Sequence, residues 1–360
     1  MEIGSIFDIN TTDLFYKNVG TIFKFPLEND YIYEDKKFFN TGRSAIEFLF
    51  RYCITNNCTE VLVPNYICNS VLDAIGRAGY KYKMYSITRD FDIDLNDLKR
   101  QLTQETKAIL FINYFGGTIS KETAEKLLEL KKQGIVLIED DTQCLFSRMK
   151  DIIGIGNYIV ASIRKWVAIP DGAVLYAEVE KLPIVKLEEG YNQYSMLYLL
   201  AQIMKSEYLK NNNLDKNLYL KLIKQSTNEL FSDYKIRKMT HISENLLLNM
   251  DINTIIERRR INYQFLYDEL SKIREIELPV KLKNGMTPFG MPIFIKNREE
   301  LFEYLIKNDI YCNIHWKGLM AGEVAIDVSN KILTIPCDQR YNLEHMKYVG
   351  EKLVNFYKEG

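Results

Sequence analysis

Short apolar runs alternate with amphipathic segments along the first half of the chain. The apolar runs predict strands at residues 60–63, 80–85, 108–114, 136–140, 158–163 and 173–178. The amphipathic segments predict helices at residues 41–52, 69–78, 95–102 and 121–132. Strands and helices that alternate in this way are typical of an α/β fold, so we expect a mainly parallel sheet covered by helices on both faces.

The pattern changes in the second half of the chain. It is long and helical from about residue 187 to 273, and residues 280–360 then predict a smaller α+β domain. That domain has strands at 311–314 and 331–335 and helices at 299–308 and 343–357. Residues 1–37 are irregular and aromatic, which favours an arm with short helices. We therefore predict an N-terminal arm over 1–37, a large domain over 38–235, and a helical connection with a small C-terminal domain over 236–360.

The composition narrows the class of protein. At 360 residues, with 47% hydrophobic and 26% charged residues, the chain is typical of a globular protein with two domains. A net charge of -1 gives no basic field for nucleic acid, and no apolar run approaches the roughly 20 residues of a membrane span. The N-terminus lacks the pattern of a signal peptide. We expect a cytoplasmic protein without nucleic-acid or membrane partners.

The spacing of the cysteines does not indicate a disulfide framework or a metal site. The six lie at positions 53, 58, 68, 144, 312 and 337, without a CxxC pair. This scatter indicates reduced thiols rather than disulfides or a metal site, and we predict no metal. Cys68 and Cys144 are packing residues rather than nucleophiles in this interpretation, because the three histidines offer them no evident partner.

A carboxylate and a lysine at strand ends suggest a particular chemistry. Asp140 ends an apolar strand, at the edge where α/β proteins bind ligands, although Glu139 and Asp141 compete for its role. Lys165 follows the next strand, three residues after Ser162, in an apolar setting that would lower its pKa. Pyridoxal 5'-phosphate (PLP) needs such a pair. A lysine forms a Schiff base with it, and a carboxylate keeps its ring nitrogen protonated.

Two further features are candidates for the same cofactor. Gly42, Arg43 and Ser44 begin a helix, where free backbone amides and a small hydroxyl group can bind a phosphate. An ordinary capped helix would explain the same three residues. Gln143 could donate a hydrogen bond to the phenolic oxygen of the cofactor, or it could face solvent.

Four segments together resemble one enzyme family. They are VLVPNY at 61–66, FDID at 91–94, TKAIL at 106–110 and EDDTQ at 139–143. In this order, and with Lys165 after them, they resemble the DegT/DnrJ/StrS family of fold-type-I PLP-dependent aminotransferases. The last segment is similar to the E-D-x-x-Q motif of that family. The resemblance implies that Asp140 contacts the pyridine nitrogen, Gln143 the ring oxygen and Lys165 the aldehyde.

The chain also departs from the family pattern. Ser162, which is close enough to Lys165 in sequence to contact the cofactor phosphate, lies three residues before the lysine rather than five. The turn after the lysine reads Ile169-Pro170-Asp171-Gly172. Cys68 stands where the family commonly has an aromatic residue that stacks on the ring, so Tyr66 is the alternative stacking residue. The N-x-R-M segment through which a second subunit contacts phosphate is absent, and residues 237–240 imitate it poorly. Arg237 or His241 could reach the phosphate or substrate of a second subunit, but either could equally be a solvated helix residue. We expect a divergent branch.

The resemblance implies a homodimeric aminotransferase. The amino donor would be L-glutamate and the acceptor a nucleotide-linked keto sugar for surface polysaccharide. A small phosphorylated ketone is the second candidate for the acceptor. A PLP-dependent lyase or decarboxylase on the same fold remains open, and so does a scaffold without activity, which Lys165 argues against because a scaffold has no need of it.

Overall fold

The structure is a computed structural model, and it describes residues 2–14, 35–54, 60–147, 154–178, 181–210, 214–317 and 320–359. The chain folds into two compact units. Unit 1 comprises Met1–Ser5, Thr55–Asn157 and Asp251–Gly360, and unit 2 comprises Ile6–Ile54 and Tyr158–Met250. The domain bounds predicted from the sequence stay a prediction.

The strands are numbered in chain order. They are β1 (Ile3–Gly4), β2 (Asp35–Phe39), β3 (Glu60–Pro64), β4 (Lys81–Tyr85), β5 (Thr106–Ile112), β6 (Val136–Asp140), β7 (Tyr158–Ala161), β8 (Ala173–Ala177), β9 (Met291–Phe294), β10 (Ile310–Tyr311) and β11 (Ile332–Ile335). The α-helices are Gly42–Phe48, Asn69–Arg77, Leu95–Gln101, Lys121–Lys132, Gln193–Lys210, Lys216–Ser232, His241–Leu248, Ile252–Leu270, Arg298–Lys307, Glu323–Lys331 and Leu343–Glu359.

Unit 1 contains the parallel strands that the alternating pattern predicts. They lie side by side in the order β4-β3-β5-β6, and all three pairings are parallel. Helices Leu95–Gln101 and Lys121–Lys132 bury Leu98 and Leu127 in one apolar core with the strand residues Ile109 and Leu137. Because Ile112 pairs with Asp140, both lie at the carboxyl edge of these strands. This is the edge at which α/β sheets position ligand-binding residues.

The rest of unit 1 is an α+β assembly around a second core. Strand β9 pairs with β11 in antiparallel fashion, and β1 pairs with β10 in parallel. Helices Ile252–Leu270 and Leu343–Glu359 pack against each other beside them. The core includes Leu266, Ile293, Leu333 and Leu353. The small α+β architecture predicted for the C-terminal part of the chain is present here.

The expectation that residues 1–37 are irregular is wrong at two places. Residues 3–4 form β1, and β2 begins at Asp35. Gly4 has φ +92°, and a Cβ atom there would lie 2.0 Å from the Tyr311 carbonyl oxygen, so the pairing requires glycine. Its partner strand lies about 300 residues away in sequence, which local patterning cannot reveal. Residues 15–34 of the predicted arm lie outside the described residues.

Unit 2 has an antiparallel sheet and most of the long helical segment. Its strands lie in the order β2-β8-β7, with Phe39 opposite Ala173 and Ile159 opposite Tyr176. The helical pattern at 187–273 is confirmed, since four helices occupy it: Gln193–Lys210, Lys216–Ser232, His241–Leu248 and Ile252–Leu270. The first two pack against each other. Within the described ranges, we find no helix with the length and apolar character needed to cross a membrane.

Candidate active-site residues

The acids that compete at the end of β6 have different surroundings. Glu139 is fully buried and accepts hydrogen bonds from the Gly154 backbone at 3.0 Å and from the Asn113 side chain at 2.9 Å. Asp141, also fully buried, accepts from the same Asn113 amide at 2.7 Å. Successive side chains along a strand point to opposite faces, so Asp140 points away from its two neighbours. Asn113 thus ties Glu139 and Asp141 into the interior.

Burial makes both of these interior acids hold protons more strongly. It raises the pKa of Glu139 to about 7, although hydrogen bonds from backbone amides oppose the shift. It raises the pKa of Asp141 well above its usual range, and the negative charge of Glu139 adds to the effect. The pair therefore carries fewer than two negative charges at neutral pH. We interpret both residues as structural acids.

This interpretation predicts that Asp141→Asn is stabilising in alkaline solution. The asparagine oxygen can still accept from Asn113, and its neutral NH2 group takes the place of the protonated carboxyl oxygen in a buried site beside Glu139. The pKa of the Asp141 carboxyl is higher in the folded protein than in the unfolded chain. Its contribution to the free energy of unfolding is therefore fully present below the pKa of the unfolded state and is lost as the pH rises through the pKa of the folded state. At pH 8.5 the variant should therefore exceed the wild type by about 1 kcal/mol, the scale of one hydrogen bond.

Urea unfolding at pH 5 and pH 8.5 measures this difference. The advantage of the variant should shrink at pH 5, where the wild-type Asp141 keeps its proton. A variant that is equally destabilised at both pH values would show that Asp141 is ionised in the folded protein.

Asp140 and Gln143 have surroundings that suit ligand binding. The Asp140 carboxylate is 6% exposed, and its Oδ1 accepts the Thr142 backbone N–H at 2.9 Å. Gln143 is 2% exposed, and its Oε1 accepts the Phe115 backbone N–H at 2.9 Å. Because the amide oxygen is used in this way, the Gln143 NH2 group is the one left to donate to a ligand oxygen. The arrangement favours Asp140 over Glu139 and Asp141 as the functional acid.

Tyr66 lies in an aromatic cluster of unit 1. Its ring is fully buried, with ring centroids 5.7 Å from Tyr114, 6.0 Å from Phe91 and 5.3 Å from Trp316. Burial raises the pKa of its hydroxyl group well above 10, although the nearby Trp316 backbone opposes the shift without forming a hydrogen bond of normal geometry. A ring enclosed in this way presents no open face. The stacking role of Tyr66 stays a prediction.

Lys165 lies at the end of a tight turn in unit 2. After β7, Ser162 leads into a 3-10 helix over Ile163–Lys165, which ends at the buried Trp166. Ser162 is 3% exposed and Lys165 is half-buried. The partly buried setting expected for the lysine is present. Its expected low pKa stays a prediction.

The candidate phosphate residues begin helix Gly42–Phe48, also in unit 2. Thr41 caps this helix by accepting the Ser44 backbone N–H at 3.2 Å, and the Ser44 hydroxyl donates to Asn40 Oδ1 at 2.7 Å. A Cβ atom on Gly42 would lie 3.7 Å from Ser162 Cβ, so Gly42 and Ser162 are neighbours. These contacts fit both interpretations of the sequence. The helix is capped, as an ordinary helix would be, and its start adjoins Ser162, as a phosphate site would require.

Arg43 has a different environment from its neighbours. Its guanidinium group donates to the Leu230 carbonyl oxygen and lies 5.1 Å from the centroid of the Phe231 ring. These contacts attach Arg43 to helix Lys216–Ser232. They explain the residue without a phosphate, so its predicted role in phosphate binding receives no support from its contacts.

Arg237 and His241, the candidates to reach a second subunit, have local partners. Arg237 Nε donates to Asp233 Oδ2 at 2.7 Å, and the His241 ring pairs with Glu244 at 2.7 Å. His241 is 78% exposed at its side chain. These contacts account for both residues within unit 2.

Two side chains that hold the surroundings of these candidates in place were not recognised in the sequence. Asn113 donates hydrogen bonds to Glu139 and Asp141 and so distinguishes them from Asp140. Asp171 attaches the loop that follows Lys165 to Thr240. Asn113 does carry a signal, because it is the first polar residue after the apolar strand β5, at the edge that also holds Asp140. Asp171 carries none, since an aspartate between proline and glycine looks like an ordinary turn.

The sequence matches a known family over the segment that holds these motifs. The model of the DegT/DnrJ/EryC1/StrS aminotransferase family matches residues 38–163. A UDP-4-amino-4,6-dideoxy-N-acetyl-beta-L-altrosamine transaminase of Helicobacter pylori is 20% identical over 343 residues, which cover 89% of this chain and 85% of that protein. The family resemblance inferred from the motifs is confirmed.

Solved structures share the fold at low identity. Helicobacter pylori PseC, an aminotransferase involved in the biosynthesis of pseudoaminic acid, matches with a TM-score of 0.71 and 16% identity over 100% of both chains. Bacillus subtilis NtdA, solved with the bound cofactor PMP, matches with a TM-score of 0.66 and 15% identity, covering 91% of this chain and 74% of NtdA. The predicted fold class, that of PLP fold type I, is confirmed by these likenesses.

Proposed function

Taking the chain as a divergent member of the DegT/DnrJ/EryC1/StrS aminotransferase family, we propose that it is a PLP-dependent aminotransferase. It moves an amino group from L-glutamate to a nucleotide-linked keto sugar used for surface polysaccharide. The observation that carries the proposal is the separation of the acids at β6. Glu139 and Asp141 share the Asn113 amide in the interior, while Asp140 points to the opposite side of the strand end, and Gln143, whose amide oxygen accepts a backbone N–H, can donate from its NH2 group.

These groups match the chemistry of PLP. A carboxylate accepts from a protonated ring nitrogen, and an amide NH2 group donates to the phenolic oxygen. A half-buried lysine suits attachment to an aldehyde, and Ser162 with the adjoining start of the helix at Gly42 suits a phosphate. When bound, the cofactor supplies an electron sink for the carbon that loses or gains a proton. Each residue type in the set therefore has a function that this cofactor requires.

The protein residues have distinct tasks in the proposal. Lys165 would hold the cofactor through its amine and would serve as the acid–base group that moves a proton between two carbon atoms. Asp140 keeps the ring nitrogen protonated by its negative charge. Gln143 orients the ring through the phenolic oxygen. Gly42, Ser44 and Ser162 bind the phosphate, and Arg43 is the weakest member of this group because its contacts lie elsewhere.

The substrate classes are supported by the relatives. The Helicobacter pylori relative is named as a transaminase of a UDP-linked amino sugar, and the PseC title refers to pseudoaminic acid. A small phosphorylated ketone is the second acceptor class, because the chain departs from the family around Lys165 and at residues 237–240. A lyase or decarboxylase would use the same lysine and aspartate and differ in the bond that breaks.

A screen of acceptors tests the proposal. Purified protein is incubated with PLP, L-glutamate and a panel of keto-sugar nucleotides and keto phosphates, and products are identified by mass spectrometry. An aminated sugar nucleotide is the expected product. An aminated keto phosphate would replace the substrate class, whereas loss of CO2 from the amino acid without transfer would replace the reaction class.

The proposal includes a cytoplasmic homodimer. Helices Gln193–Lys210 and Lys216–Ser232 expose large apolar side chains, among them Leu200, Leu218 and Phe231, with 46%, 41% and 56% of their surface open. Apolar surface of this kind is characteristic of subunit contacts.

A cytoplasmic location is supported by the free thiols at 53, 68, 144, 312 and 337.

Sedimentation velocity at the assay concentration tests the dimer. We expect one species of about twice the 42.2 kDa chain mass. Replacing Leu200 and Leu218 with glutamate should shift this species toward the monomer if the two helices form the interface, because burying charge there is costly. An active wild-type monomer would contradict the proposed assembly.

A further inference from the structure

The turn that carries Lys165 is closed by a single carbonyl group. The backbone N–H groups of Ile163 and Arg164 both donate to the Gly172 oxygen, at 3.0 and 3.2 Å. Trp166 N–H returns to the Ile163 carbonyl at 2.9 Å. The position of the Lys165 backbone therefore depends on where Gly172 lies.

Gly172 is fixed by close packing and by Asn40. Its N–H donates to the Asn40 carbonyl oxygen at 2.7 Å. It adopts φ +143°, a backbone conformation that favours glycine, and a Cβ atom would crowd Ile169 Cδ1 at 2.9 Å and Met239 Sδ at 3.1 Å. Asn40 also accepts from the Ser44 hydroxyl through its side chain. One residue thus links the lysine turn to the candidate phosphate residues.

The neighbour of Gly172, Asp171, binds the first residues of another helix. Its carboxylate is fully buried. It accepts the Thr240 backbone N–H at 3.1 Å, the Thr240 hydroxyl at 2.6 Å and the Ser243 hydroxyl. Thr240 is the N-cap of helix His241–Leu248, and the amide dipoles at that end favour a negative charge. Asp171 thereby attaches the end of the lysine loop to the start of this helix.

Burying a carboxylate such as Asp171 costs solvation free energy. Without partners it would lose several kcal/mol of solvation, of the order of 2–7 kcal/mol for a neutral polar group and more for a charge. Burial raises the pKa of Asp171 to about 6, even though the Ser243 and Thr240 hydrogen bonds and the positive charge of Arg164 oppose the rise. The group is therefore mostly ionised above neutral pH.

We infer that Asp171 is a positioning residue of the aminotransferase, whose carboxylate fixes the Lys165 turn through Gly172 against the start of helix His241–Leu248. This inference rests on the proposed function, since it assigns to Asp171 the task of holding the cofactor lysine. A carboxylate that only stabilised the fold would not affect how Lys165 reacts. The two roles therefore differ in what a substitution changes.

The test uses two variants and a matched control. Asp171→Asn keeps the shape but turns NH2 hydrogens toward the Thr240 and Ser243 donors, while Ser243→Ala keeps the carboxylate and removes one donor. Asp215→Ala is the control. It removes the N-cap of helix Lys216–Ser232 in the same unit, where Asp215 accepts the Asn217 N–H at 2.9 Å, and it should cost similar stability.

Three quantities are measured on each protein. The first is hydrogen exchange of the peptide 163–172 without cofactor, which reports whether the Ile163 and Arg164 hydrogen bonds to Gly172 persist. The second is the pH titration of the visible absorbance of the PLP-loaded protein. The third is kcat and KM for L-glutamate with the acceptor found in the screen.

The inference predicts a specific combination of results. Asp171→Asn should lose exchange protection in 163–172, shift the absorbance titration, and lower kcat by about 10- to 100-fold with KM within about twofold, the scale expected for a displaced catalytic group. Ser243→Ala should show the same changes to a smaller extent. Asp215→Ala should lower the unfolding temperature alone.

Other outcomes separate this inference from the proposed function. If Asp171→Asn is destabilised like Asp215→Ala but keeps the wild-type kcat and absorbance titration, Asp171 is structural, and the aminotransferase proposal is unaffected. If the wild-type protein neither binds PLP nor transfers an amino group, the proposed function fails. The exchange measurement would then still report whether Asp171 holds the turn.

Discussion

Replacing Lys165 with alanine is expected to abolish covalent attachment of PLP and nearly all turnover. The wild-type protein should be yellow with PLP, and borohydride should reduce the link irreversibly at Lys165. The variant has no amine at this position, so reduction should leave no pyridoxyl group on the chain. Turnover should fall by at least about 10²- to 10⁴-fold, the contribution of a positioned acid–base group, because Lys165 also moves the proton.

Digestion of the reduced protein and mass spectrometry of the peptides locate the modified lysine. Lys121→Ala is a suitable control, because Lys121 is 78% exposed at its side chain on helix Lys121–Lys132 and pairs only loosely with Glu125 at 3.8 Å. The control should be modified at Lys165 as the wild type is. A pyridoxyl group on another lysine in the wild-type protein would overturn the assignment.

Replacing Asp140 with asparagine is expected to leave binding intact and to slow the chemistry. The asparagine oxygen can still accept the Thr142 backbone N–H, so the end of β6 should keep its structure. The amide carries no negative charge, so the ring nitrogen of the cofactor loses the interaction that keeps it protonated. The half-reaction with L-glutamate should slow by about 10²- to 10³-fold, comparable to removal of one preorganised electrostatic group.

Stopped-flow absorbance of the half-reaction measures this effect, and Asp141→Asn is its matched control. The two variants make the same change at adjacent residues that point to opposite faces of β6. Asp141→Asn should react at a rate near that of the wild type. A normal rate in Asp140→Asn together with a slow rate in Asp141→Asn or Glu139→Gln would transfer the functional role to that acid.

The parallel strands and their helices were predictable because their signals are local. Strand β6 and helix Lys121–Lys132 have the bounds that their apolar patterns predict, and helix Asn69–Arg77 ends one residue earlier. The strand–helix alternation also predicted the fold class, and the order of the motifs predicted the family. Each strand and helix depends on residues within about a dozen positions of one another, which periodicity detects well.

The strand pattern alone did not decide among the three acids, and only the resemblance to the family assigned the role to Asp140. A buried parallel strand is apolar on both faces, so alternation does not show which acid faces a ligand. The distinction depends on Asn113 and Gly154, which lie 26 and 15 residues from Glu139 in sequence. The Asp171 contacts with Thr240 and Ser243 span about 70 residues. Such long-range hydrogen bonds produce no periodic pattern in the sequence.

Single-turnover conversion of L-glutamate to 2-oxoglutarate tests the central claim most directly. The PLP-loaded protein is mixed with excess 15N-labelled L-glutamate in the absence of any acceptor, and both products are quantified by mass spectrometry. The proposed function predicts one 2-oxoglutarate and one 15N-labelled pyridoxamine phosphate per active site, and neither product with Lys165→Ala. Consumption of glutamate with release of CO2, or no reaction of glutamate or any other amino acid with the loaded protein, would contradict the assignment as an aminotransferase.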